Sequence, residues 1–254
     1  MELQIPALAV TNIEESPHRK LLEAFANPSG PTESRVSKLL QALVQSPDRW
    51  MQGPVTPWRF TSGPRRQSSM EYLAVDRHVW QPDIDLMWGP TFGSVKLSPI
   101  HAIELKHFAL VNDRGRFIPK TRQKQGFYAG LDEALALTLM GFDTVSLWQV
   151  FQLPWDHWRS LEEAQSEQAS DNYTDYTAAY AGKISGLIKA HPLQLGYQCA
   201  GLLVDRSDDG SVREVHLIPA QACSVIPALN PQRYSRDPLL ARQRLVGMLN
   251  IVDR

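Results

Sequence analysis

Two short runs place ionisable groups at alternate positions: Pro82-Asp83-Ile84-Asp85-Leu86 and Ile103-Glu104-Leu105-Lys106-His107, with 18 residues between Asp85 and Glu104. On a strand, side chains at i and i+2 share a face. Asp83 and Asp85 then share one face, and Glu104 and Lys106 share another, with Ile103, Leu105 and His107 turned away. Antiparallel pairing across the intervening loop, with Asp85 opposite Glu104, sets Asp83 opposite Lys106. Neighbouring carboxylates repel, and burial adds a desolvation penalty. A hard divalent cation such as Mg²⁺ or Mn²⁺ relieves both, taking carboxylate oxygens, waters and substrate phosphates as ligands. A cation so held polarises a phosphate and lowers the pKa of a bound water, and Lys106 can hold that water or balance charge on the phosphorane.

The elements around these runs follow from periodicity. Val36, Leu39, Leu40 and Leu43 predict a helix from Thr32 to about Gln45, after a shorter helical stretch near 20–26 and the breakers Pro28, Gly30 and Pro31. Four prolines and two glycines in 46–68 read as irregular chain. Strands are expected over 71–79, 83–88 and about 100–108, with a loop marked by Gly89, Pro90 and Gly93 and a turn at Asp113-Arg114-Gly115. Phe127, Tyr128, Leu131, Leu135 and Leu139 predict a long helix over about 121–140, stopped by Gly141. Residues 144–151 read as a central strand, 154–191 as polar helix, and 195–204 with 212–218 as a hairpin around Ser207-Asp208-Asp209-Gly210. Residues 237–251 read as a terminal helix. The expectation is one domain over 1–254, α/β in class.

Asp85 followed by Glu104-Leu105-Lys106, set in the element order read over 32–151, resembles the PD-(D/E)XK (restriction-endonuclease-like) nuclease superfamily with its αβββαβ core. The resemblance implies a mixed central sheet flanked by helices, with the core over about 32–151 and C-terminal helices and the hairpin as an elaboration from about 152. It implies that Asp85 and Glu104 bind Mg²⁺ or Mn²⁺ and that Lys106 assists catalysis. It also implies that an acid on the first helix joins the site, for which Glu33 is the matching candidate. The Leu105 carbonyl is a third candidate ligand. Pro82-Asp83 matches the letters of the motif, while Asp85 has the apolar flank and the position opposite Glu104. Asp85 is favoured, with Asp83 as the alternative. Some RecB-like members carry a Gln four residues before a Tyr on the next helix; here Lys124 stands four before Tyr128, with Gln123 and Gln125 beside it.

Each reading has a plainer rival. Glu104 and Lys106 could be an exposed charged pair, but the apolar residues on both faces of their strand argue that they are covered. Arg114, Arg116, Lys120, Arg122 and Lys124 stand against one acid, Asp113, and with Gln123 are candidates for phosphate contact. Basic groups at a helix start oppose its dipole, which favours that reading over a solvated loop. His101 and His107 read as structural, and the tryptophans as core. The acidic stretch 162–171 would repel a phosphate backbone.

With 43% hydrophobic residues the chain can bury a sizeable core, and its net charge of −1 rules out a uniformly basic binder of polyanions. Cys199 and Cys223 have no metal-type spacing. Residues 1–19 lack the pattern of a signal peptide and no run reaches the ~18 apolar residues of a membrane span, so a cytoplasmic protein without membrane contact is expected. The functional expectation is a Mg-dependent deoxyribonuclease, endonucleolytic rather than exonucleolytic. DNA is favoured over RNA as substrate, and self-association or a partner protein would aid targeting. The rival is a nuclease-fold subunit serving as a DNA-binding or assembly module, its catalysis dependent on a partner or absent.

Overall fold

The computed structural model describes residues 5–26, 32–44, 55–59, 85–92, 95–97, 100–113, 116–119, 128–138, 141–153, 182–188, 190, 195–219, 243, 247 and 251–252. Ten strands form a mixed sheet: β1 (Leu8–Val10), β2 (Val55–Arg59), β3 (Leu86–Phe92), β4 (Val95–Leu97), β5 (His101–Asp113), β6 (Arg116–Pro119), β7 (Thr144–Gln152), β8 (Gly196–Arg206), β9 (Val212–Pro219) and β10 (Ile251–Val252). Their main order is β1-β9-β8-β7-β5-β3-β4-β10, with β2 on β3 and β6 on β5. β5, β7 and β8 run parallel at the centre, and β4 with β10 is the other parallel pair. The remaining pairs are antiparallel. Among the described residues, the sheet is accompanied by α1 (Arg19–Glu23), α2 (Glu33–Val44) and α3 (Leu131–Leu137). Residues 182–188 are also helical. The chain is therefore α/β with a mixed sheet and flanking helices.

Alternation along the central strands divides the core in two. Ile103 and Leu105 of β5, Trp148 and Val150 of β7, Ala200, Leu202 and Val204 of β8, and Val215 and Leu217 of β9 face one side. Leu22 and Phe25, then Val36, Leu39, Leu40 and Leu43 of α2, cover them. Positions i, i+3, i+4 and i+7 of α2 make one continuous apolar stripe, which is why that helix forms and how it docks. The opposite side carries Glu104, Lys106 and Phe108 of β5 with their register partners Leu147, Gln149 and Phe151 of β7. The Phe108 and Phe151 rings stack there at 5.1 Å. α3 lies over this second side, with Ala134 and Leu137 buried.

Several expected boundaries move. The helix after β6 does not run through 121–140 as one piece: Tyr128–Gly130 is a turn, Gly130 has φ +83°, and α3 begins at Leu131. A left-handed residue ends any right-handed helix, so apolar spacing alone overran it. Gly89 and Pro90 lie inside β3 rather than in a loop, where antiparallel pairing with β2 continues through Pro57↔Pro90. β2 itself arises in the stretch read as irregular, and β5 continues five residues beyond 108 into a hairpin with β6. Ile251 is in a strand rather than a terminal helix. The strand expected at 71–79 and most of the helical stretch expected at 154–191 lie outside the described residues. No helix among the described residues is long and apolar enough to cross a membrane.

Candidate active site

β3 ends its pairing with β5 at Leu86↔Ile103, and β6 begins only at Leu110. Among the described strands, the edge of β5 between those two points has no neighbour. Two carboxylates reach it instead. Asp85 Oδ2 accepts a hydrogen bond from the Leu105 amide at 2.9 Å, and Glu33 Oε2 accepts a longer one from the His107 amide at 3.4 Å. Continuing the β3–β5 register by one residue sets Asp85 opposite Glu104, the pairing expected from alternation. The buried Ser37 hydroxyl of α2 donates to the Asp85 carbonyl at 3.3 Å and fixes the backbone there. Since the N–H and C=O of a strand residue leave the same edge, the Leu105 carbonyl belongs to the edge where Asp85 sits.

Glu104 is 0% exposed, and neither of its oxygens makes a hydrogen bond of normal geometry. Its one close cation is Lys106 Nζ at 2.6 Å. That ammonium also meets Glu133 Oε2 at 2.8 Å and Glu33 Oε1 at 3.8 Å. Three carboxyl groups, from Glu33, Glu104 and Glu133, thus gather around one lysine, with the Asp85 carboxylate close enough to Glu104 to act on its charge. Burial pushes the Glu104 carboxyl up to about 11, and the neighbouring Glu133 and Asp85 push the same way against the pull of Lys106. Burial would lower Lys106, but Glu104, Glu133 and Glu33 outweigh it and hold the ammonium above its ordinary range. Burial would raise Glu133, yet the Glu104 carboxyl and Lys106 bring it below its ordinary value. The site therefore disfavours a charge on Glu104 and favours one on Glu133 and on Lys106. A divalent cation would relieve the same repulsion.

The donor set fits such an ion in a particular way. No group of three or more His, Cys, Asp or Glu side chains among the described residues forms a ready cage. Asp85, Glu104 and the Leu105 carbonyl offer instead two carboxylates and one neutral oxygen. That suits Mg²⁺, which keeps several waters and seldom takes an all-protein shell.

The remaining expected residues divide clearly. Asp83, Arg114, Lys120, Arg122, Gln123 and Lys124 lie outside the described residues. Arg116 opens β6, in register with Asp113. His107 turns to Gln152 and His101 to Thr144, the structural roles expected of both. Burial holds His107 at about 4 against the raising effect of its Gln152 hydrogen bond, and it alone holds His101 at about 4.

Three contributors, Glu133, Gly130 and Gln149, lie beyond the sequence expectations. Glu133 was hidden because a helix running from 121 puts it mid-helix, whereas with Gly130 as N-cap it falls in the first turn. Gly130 was the available signal, since a glycine inside a supposed helix asks for a reason. Gln149, 0% exposed and in register with Lys106, donates to the Ala129 carbonyl at 3.3 Å and accepts from the Tyr197 hydroxyl at 2.7 Å. A lone Gln in an apolar strand carries no pattern that would mark it.

No family model, no curated protein and no solved structure gives a match to this chain.

Proposed function

We propose that the chain is a divalent-metal-dependent nuclease of the PD-(D/E)XK type, hydrolysing phosphodiester bonds of DNA and cutting internally. The observation that carries the reading is Glu104: a carboxyl with 0% exposure set between the carboxylate of Asp85 and, at 2.6 Å, the ammonium of Lys106. A structural role alone does not account for such a group, because a buried ion pair gains little over apolar packing of the same volume. Support also comes from the order α2, antiparallel strands, α3, β7 around the pair, which is compatible with a restriction-endonuclease-like core.

In this reading Asp85, Glu104 and the Leu105 carbonyl would hold Mg²⁺ or Mn²⁺. When bound, the ion supplies a Lewis acid for the scissile phosphate and lowers the pKa of a coordinated water. Lys106 holds its ammonium at the rim of that site, where it orients the attacking water and balances charge on the phosphorane. Asp85 also orders the backbone by accepting from the Leu105 amide. Glu33 sits at 38% exposure, the most open of the acids paired with Lys106. Near-neutral net charge makes intrinsic DNA affinity modest, so the basic run 114–124 would supply local phosphate contacts.

The test is cleavage of supercoiled plasmid and of single-stranded DNA in Mg²⁺, Mn²⁺ or EDTA, with RNA as comparison. The wild type should cut in metal and not in EDTA, and Lys106→Ala or Asp85→Ala should lower the rate by about 100-fold or more. Undiminished cutting by both variants would sink the assignment. No cutting by the wild type in either metal would move the fold to the binding or assembly role.

A further inference from the structure

Resting on the nuclease reading, we infer that Glu133 is a positioning residue for Lys106, and that the turn opening α3 is built as a clamp on that lysine. Lysine is a compact charge on a flexible four-carbon stem, so a catalytic role requires something to fix both stem and head. The stem is fixed by Gly130. A Cβ at that position would lie 2.6 Å from Lys106 Cγ and 3.0 Å from Lys106 Cε, so the lysine runs through space that only glycine leaves open. Gly130 also has φ +83°, which sends the chain back over β5 and into α3. Three residues on, Glu133 meets the head at 2.8 Å with 20% exposure.

Other anchors are less suited. Glu104 is nearer at 2.6 Å, but its oxygens are those a cation would take. Glu33 stands at 3.8 Å, is 38% exposed, and lends Oε2 to the His107 amide. Glu133 is the acid that can keep the ammonium in place once Glu104 turns to the cation. The clamp is itself braced from the sheet: Gln149, the register partner of Lys106, donates to the Ala129 carbonyl, and Tyr197 donates to Gln149. Within α3, the Gly130 carbonyl accepts from the Ala134 amide at 2.8 Å, so the turn and the helix move together.

The test uses the full chain carrying ¹⁵N-labelled lysine, with the Lys106 Nζ signal assigned by its loss in Lys106→Arg. The wild type should show a sharp ammonium cross-peak that Glu133→Gln broadens away and Glu133→Asp partly restores. In cleavage assays Glu133→Gln should lose about 10- to 100-fold in kcat, with KM and the Mn²⁺-induced rise in Tm unchanged. Gly130→Ala should lose the cross-peak too, and if it fails to fold, the Glu133 variants decide alone. An unaltered cross-peak in Glu133→Gln, its absence from the wild type, or an unchanged kcat would overturn the clamp. If the wild type cleaves no nucleic acid but Glu133→Gln abolishes the cross-peak, the clamp stands and the nuclease reading falls.

Discussion

A carboxyl with 0% exposure beside Asp85 and Glu133, as at Glu104, is costly to ionise even with Lys106 at hand. Replacing it by glutamine keeps the shape and removes a potential charge from a cluster of four acids, while Lys106 keeps Glu133 as its partner. Glu104→Gln should therefore raise the metal-free stability by about 1 kcal/mol, in the direction seen when buried charges are neutralised. The same change should abolish the rise in Tm that Mn²⁺ gives the wild type, because ligand-linked stabilisation disappears with the site. Thermal melts with and without Mn²⁺ measure both, and a variant still stabilised by Mn²⁺ would place the ion elsewhere. At this scale the sequence was readable where chemistry and strand alternation coincide. Asp85, Glu104 and Lys106 occupy positions that a period of two could specify. Glu133 was unreadable because a helical acid has many ordinary uses, and only the true start of its helix gives it a direction.

Among the elements, α2 does two things at once: its stripe seals one side of the sheet, and its first turn delivers Glu33 to the rim of the site. Leu40 is 0% exposed within that stripe. Leu40→Ala should cost about 2–5 kcal/mol, the range for a large-to-small change in a close-packed core. Lys38→Ala, on the exposed side of the same helix, should stay within about 0.5 kcal/mol. Urea unfolding compares them, and equal losses would mean that Leu40 is not held in a close-packed core. α2 was legible because its apolar spacing and its breakers agree; Glu33–Val44 falls within the helix expected from Thr32 to Gln45. The β8–β9 hairpin was legible for a similar reason, with Gly210 at φ +83° supplying the turn that Asp-Asp-Gly announces. β2 and the far half of β3 were missed because Pro57 and Pro90 look like breakers. The two prolines face each other in one antiparallel pair, a tertiary arrangement that no local window contains.

Over the whole molecule, the sheet order is the least legible feature, since β1 joins β9 and β10 joins β4 across most of the chain. Class could be inferred from the alternation of elements, and the mixed character of the sheet from the family resemblance; which strands end up as neighbours could not. Global stability also depends on groups that the sequence presents as unremarkable. His101 sits at the start of β5, its Nδ1 against the Thr144 hydroxyl and its Nε2 buried without a hydrogen bond. Burial lowers its pKa from 6.5 to about 4. A depressed histidine pKa means that the unfolded chain binds a proton the fold refuses between those two values. Stability is therefore retained above about pH 6.5 and declines as pH falls towards 4. Between pH 7 and pH 5 the loss from this one group is about 2 kcal/mol by linkage. His101→Gln removes the titration, so its urea midpoint should fall less than the wild type's over the same interval, even if it begins lower at pH 7. Equal acid slopes in the two proteins would mean that His101 takes up its proton within the fold, with the polar surroundings of Thr144 admitting the charge.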